Sequence, residues 1–252
     1  MRIFNYYPHN QSTDDLETEK KIFKHSLLFP FFFLFAFWLV ELIEQLFNLD
    51  FTRAGIFPLR PEGLPGIVLS PFIHSGFKHL ISNSIPFYLL LFTLVYFYRK
   101  FSYKIFFQIY LISGLCVWLG GRPAWHIGAS GVVYGLAAFH FISGIIRNDV
   151  RLLTMSAIVV FLYGGMIWGM LPLQPEISWE SHLWGAASGV LLAFYYRKYT
   201  IRRKKFDWEE EPDEENLPAE NNPEEPPPLS PPSSSAGLSA PPADLQKNRP
   251  DE

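Results

Sequence analysis

Gly128-Ala129-Ser130-Gly131-Val132-Val133-Tyr134-Gly135-Leu136 begins a hydrophobic stretch that runs to about Ile146 and sets a serine among small residues at the mouth of a membrane helix. Fifty-two positions later a second such stretch opens as Ser181-His182-Leu183-Trp184-Gly185-Ala186-Ala187-Ser188-Gly189. A serine and a histidine, each at the same end of its own span, can meet as nucleophile and base inside a bilayer.

Outward from these two stretches the composition supports a membrane protein. Of 252 residues 49% are hydrophobic and 17% aromatic, too apolar for an ordinary soluble domain. The mean hydropathy of +0.10 understates this because a polar tail dilutes it. Up to Lys205 there are 19 Lys and Arg against 11 Asp and Glu, whereas from Phe206 onward there are 2 against 13. The formal net charge of −3 thus conceals a basic membrane body and an acidic tail. The single cysteine, Cys116, has no internal disulfide partner. The first 25 residues are polar and mixed in charge, with no cleavable signal peptide, so the first apolar segment is expected to stay as a span.

Six stretches are long and apolar enough to be expected as spans, at about 26–47, 77–97, 101–120, 129–146, 152–171 and 181–197. They must be helical, because isolated strands cannot satisfy their backbone in lipid. Positive charge sets the orientation. Arg2, Lys20, Lys21 and Lys24 precede the first span, and Arg99, Lys100 and Lys104 join the second and third. Arg147 and Arg151 join the fourth and fifth, and a block from Arg197 to Lys205 follows the sixth. The opposite side holds only Arg53, Arg60, Lys78 and Arg122. Both termini are therefore expected in the cytoplasm. Spans two, four and six then share an outer N-terminal end, and His79, Ser130 and His182 lie at those three ends.

The expected organisation is an N-terminal cytoplasmic segment over 1–25, a helical membrane domain over 26–200, and a tail over 201–252 that is basic, then acidic and Pro/Ser-rich. That tail has too little apolar surface to offset chain entropy and is expected to be disordered.

Each candidate side chain also has an ordinary explanation. A serine in a membrane helix commonly bonds to its own backbone or a neighbouring helix. Gly128 and Gly131 raise its interest, since they admit another backbone and free amides at a helix start, where an oxyanion can be held. His182 is poised near neutral pH as a base requires, or it is an interfacial histidine bonded locally. Gly185 and Gly189 lie on one face of its helix and allow close packing. His79 and Asn83 are four apart on one helix face, two donors that form either an oxyanion site or an interhelical contact. Tyr134, one turn below Ser130, either supports the histidine or simply packs.

Together, Gly128-Ala129-Ser130-Gly131, His182 with Gly185 and Gly189, and His79-xxx-Asn83 resemble the rhomboid intramembrane serine proteases, in the six-span bacterial form. The resemblance covers about residues 50–200. It implies an all-α, six-helix bundle in a bacterial cytoplasmic membrane, with a Ser–His dyad of Ser130 as nucleophile and His182 as base. It implies an oxyanion site from the Ala129–Ser130 backbone with His79 and Asn83, and Tyr134 beside His182. The fifth span and first outer loop would control substrate entry, with Gly164, Gly165 and Gly169 fitting a movable helix.

Two departures from the family pattern stand out. Many bacterial rhomboids carry a Trp-Arg pair in the first outer loop, and none occurs between Leu49 and Ile73. Ser181 stands where alanine is common and is expected to be tolerated. Glu41 and Glu44 would cost roughly 2.5–3.5 kcal/mol each at mid-bilayer, a cost that interface exposure or bonding along the helix is expected to relieve. No acidic partner for His182 is evident, Glu180 being too close in sequence. The histidines lack a metal-binding pattern such as His-Glu-xx-His, so neither metal nor cofactor is expected. Membrane-protein substrates and the bilayer are the expected partners, and nucleic acid is not. The alternative is an inactive rhomboid-like binder or chaperone, which would share the fold without a nucleophile and base together; a small transporter would require mid-bilayer polar residues and a two-fold repeat.

Overall fold

The computed structural model describes residues 13–162, 168–172 and 178–199. Its principal elements are α1 (Thr13–Phe47), α2 (Phe77–Tyr98), α3 (Ser102–Gly120), α4 (Ser130–Arg147), α5 (Val150–Leu162) and α6 (Trp179–Tyr195). Four of these, Glu17–Phe47 within α1 together with α2, α3 and α4, are long and apolar enough to cross a membrane. At 13 and 17 residues, α5 and α6 are shorter. The fifth stretch was expected as one continuous span over 152–171. Of that stretch α5 covers the described part to Leu162, residues 163–167 lie outside the described residues, and Trp168–Met170 is a 3-10 turn. Gly164 and Gly165 lie outside the described residues, whereas Gly169 lies in that turn.

The fold is all-α; among the described residues the only β pairing is the antiparallel bridge of Ile56 with His126. Aromatic edges join α1 to α2 and α3. Phe33 and Phe37 meet Phe87 at ring centroids 5.9 and 5.0 Å, and Phe33 meets Phe106 at 5.0 Å. The outward side of α1, with Phe31, Phe32 and Phe35, is exposed, as a helix facing lipid requires.

The central helix is α4, whose Leu136, Phe139 and His140 are fully buried. His140 Nε2 donates to the Leu90 carbonyl at 2.9 Å and pins α4 to α2. Against α6 the packing is backbone on backbone. A Cβ on Gly185 would lie 2.8 Å from the Gly131 carbonyl carbon, and one on Gly189 would lie 2.9 Å from the Phe139 amide nitrogen. At the far end Arg147 donates to the carbonyls of Tyr199 at 2.6 Å and Tyr196 at 2.5 Å, tying α4 to the end of α6.

The loop between α1 and α2 is held without a sequential Trp-Arg pair. Ile56 and His126 exchange backbone hydrogen bonds of 2.9 and 2.8 Å. The Trp118 indole, near the end of α3, donates to the Arg60 carbonyl at 2.9 Å, while the Arg60 guanidinium covers the Phe57 ring at 4.9 Å. Tryptophan and arginine thus meet through the fold rather than along the chain. Glu41 and Glu44 are both buried, so interface exposure does not relieve them. Bonding does so in part: Gln45 Nε2 donates to Glu41 at 3.0 Å, and the Phe51 amide donates to Glu44 at 2.7 Å.

Candidate active site

Ser130 is the first residue of α4, and Ala129, fully buried, is its N-cap. The amides of Ser130, Gly131 and Val132 therefore have no carbonyl one turn back within the helix to bond, and the positive end of the helix dipole adds to them. Gly128 enters this turn at φ +102°, a left-handed conformation suited to glycine. A side chain there would also collide with His79, whose Cε1 lies 2.7 Å from the position of a Cβ. The Gly128 amide is itself engaged, donating to the Ser70 carbonyl at 2.8 Å.

Close packing of α4 on α6 brings His182 to the serine. Its Nε2 lies 2.8 Å from Ser130 Oγ, and its Nδ1 lies 2.8 Å from the Gly169 carbonyl. A carbonyl only accepts, so Nδ1 carries the proton and Nε2 presents its lone pair to the Ser130 hydroxyl. That is the tautomer a general base needs. Tyr134 stacks on the imidazole at a centroid distance of 4.1 Å and an interplanar angle of 5°, which fixes the plane of the ring. Glu180 does not orient His182; it is buried against Arg122, Oε1 to Nε at 3.5 Å.

His79 and Asn83 face the same point. The Ser75 amide donates to His79 Nδ1 at 3.4 Å, which leaves the proton on Nε2. His79 Nε2 and Asn83 Nδ2 lie 2.9 and 3.7 Å from one position beside Gly128. Asn83 Nδ2 is buried and has no partner among the described residues, which leaves it a free donor beside the turn that leads into Ser130. Two side-chain donors and the first-turn amides of α4 thus lie around the Gly128–Ser130 turn, an arrangement chemically able to hold an oxyanion. Among the described residues no three His, Cys, Asp or Glu side chains are grouped to hold a metal ion.

Every candidate except Gly164 and Gly165 has a described position, and Ser130, His182, Tyr134, His79, Asn83 and the Gly128–Ala129 turn come together. The Gly169 carbonyl and Ser75, which set the two tautomers, were not anticipated. Gly169 acts through its main-chain carbonyl, which leaves no mark on side-chain identity, whereas Ser75 meets His79 Nδ1 through its amide at 3.4 Å and its hydroxyl at 3.2 Å.

The Rhomboid domain model matches residues 61–199, more than half of the chain. The chain belongs to the rhomboid family. An uncharacterized protein of Mycobacterium tuberculosis is 35% identical over 171 residues, covering 64% of this rhomboid and 71% of the relative. An uncharacterized protein of Mycobacterium leprae is 32% identical over 172 residues, covering 64% and 68%. A Bacillus subtilis protein, YdcA, whose name gives it as a candidate rhomboid protease, is 28% identical over 127 residues, covering 48% of this chain and 62% of its own. With several apolar helices as well as the domain, this rhomboid is a multi-pass membrane protein.

Proposed function

We propose that this rhomboid is an intramembrane serine endopeptidase that cuts other membrane proteins near the outer face of a bacterial cytoplasmic membrane. In this reading all six helices cross the bilayer, with both termini in the cytoplasm, as the distribution of Lys and Arg supports. The observation that carries the reading is the 2.8 Å contact of Ser130 Oγ with His182 Nε2, made while Nδ1 is engaged by a carbonyl.

The reaction proceeds in two halves. Ser130 Oγ bonds to the substrate carbonyl carbon as its proton passes to His182 Nε2, and the carbonyl π electrons move onto oxygen. That oxyanion sits among His79 Nε2–H, Asn83 Nδ2–H and the α4 amides; removing one such donor typically costs about 10²–10³ in rate. The C–N bond then breaks, and His182 returns the proton to the leaving amine. Water, deprotonated by the same imidazole, attacks the acyl-enzyme and releases Ser130. The Gly169 carbonyl holds the imidazolium formed in each half where a carboxylate does so elsewhere. The substrate must present an extended segment, since a helix hides its carbonyls, so helix-weakening residues near the scissile bond are expected.

A serine-directed fluorophosphonate tests the reading. The parent should label on Ser130, and both Ser130→Ala and His182→Ala should lose the label. A parent that does not label, or a Ser130→Ala variant that labels like the parent, rejects it.

A further inference from the structure

His126 lies two residues before the Gly128 turn and is 2% exposed. Its backbone is the bridge to the first outer loop at Ile56, and its ring points the other way, toward the start of α6. Nε2 lies 3.1 Å from the Arg122 carbonyl and so must donate to it. Burial, the largest influence, holds this imidazole below the usual histidine range, so near neutral pH Nδ1 is unprotonated. Nδ1 therefore accepts from the Ser178 hydroxyl at 2.5 Å, and Ser178 Oγ in turn accepts from Ser181 Oγ at 2.6 Å. Ser181 is next to His182, and its carbonyl lies 3.1 Å from the position of a Cβ on Gly131, the neighbour of Ser130. A single directed chain of hydrogen bonds thus joins the backbone ahead of the nucleophile to the helix that carries the base. No step of the proposed reaction uses it.

We propose that His126 is a positioning residue, whose ring, through Ser178 and Ser181, fixes the turn ahead of Ser130 against the start of the helix bearing His182. This inference rests on the protease reading. The chain also gives Ser181 a purpose beyond being small, since an alanine there would lose the second link.

The test compares His126→Phe, which fills the space without ring nitrogens, with His126→Asn, whose side-chain oxygen can accept from Ser178. Cleavage of a membrane-inserted reporter and the thermal midpoint are measured for both. His126→Phe should lower kcat about 10–100-fold, the scale of a misplacement near 1 Å, with KM within about twofold. His126→Asn should recover at least about tenfold of that loss although the two variants melt alike. A Phe variant as fast as the parent, a change confined to KM, or Phe and Asn variants equally slow would each overturn the proposal. A parent that neither labels nor cleaves rejects the protease reading instead. The link is then read from melting: additive losses in His126→Phe, Ser178→Ala and the double variant overturn it, and a clear departure from additivity sustains it.

Discussion

Replacing Gly185 with alanine should separate the two helices on which the site depends. The added Cβ would lie 2.8 Å from the carbonyl carbon of Gly131 and 3.2 Å from its Cα, and would also meet the Gly131 oxygen. Carbon atoms rest about 3.5–4.0 Å apart, so relieving the 2.8 Å contact requires the backbones to part by about 0.7–1.2 Å. Because those atoms are main chain, no side-chain rotation absorbs the clash. Gly185 is one turn below His182 and Gly131 adjoins Ser130, so the displacement acts on the 2.8 Å contact and stretches it to about 3.5–4.0 Å, beyond a useful hydrogen bond. A misplacement of this size costs about 10²-fold in rate. Overpacking of this kind costs about 1–3 kcal/mol in stability, and each kcal/mol lowers the melting midpoint by about 2–4 °C in a chain of this length. The assay is reporter cleavage in membranes alongside thermal unfolding in detergent. Gly120→Ala is the control, since a Cβ there would meet only the edge of the Trp184 ring at 3.3 Å, and its rate should stay within about twofold of the parent. A Gly185→Ala variant that cuts within about threefold of the parent would refute the claim that glycine-to-backbone packing sets the serine–histidine distance.

Asn83→Ala removes a buried donor with no partner among the described residues, and should lower kcat by about 10²–10³ with little change in KM; steady-state kinetics decide between this and a binding role. Tyr134→Phe keeps the ring stacked on His182 and should retain most activity, whereas Tyr134→Ala removes the stack and should lose both rate and about 3–5 kcal/mol of stability, read from melting and cleavage together. In the loop before α2, burial and the neighbouring His79 push His74 down to about 3. The unfolded chain then binds a proton that the folded one refuses, so stability should fall as pH drops from about 6.5 towards 3, and His74→Asn should flatten that slope in melting curves across the range.

The helices were legible because lipid demands long apolar runs, and α2, α3 and α4 begin and end within two residues of the expected limits. The fifth stretch was less legible, because apolar character alone cannot register the 3-10 turn at Trp168–Met170 near its end. Within the site, the approach of Ser130 to His182 was legible because both residues stand at glycine-rich helix entries, and glycines there let the two helices pack backbone to backbone. The orienting group for His182 was not. Where a carboxylate would show in the sequence, a main-chain carbonyl at Gly169 stands instead. His126 went unread for a related reason. Its partners, Ser178 and Ser181, lie 52 and 55 residues away and carry no motif, so only the fold brings them within 2.5 and 2.6 Å links of one chain. The loop between α1 and α2 shows the reverse case, since the sequence holds no Trp-Arg pair there while Trp118 and Arg60 meet in space.

Cleavage of a tagged single-span reporter in membranes, comparing the parent with Ser130→Ala and His182→Ala, tests the central claim most directly. The parent should cut, and neither variant should do so at equal expression and equal thermal midpoint. Cutting by both variants at the parental rate would contradict it.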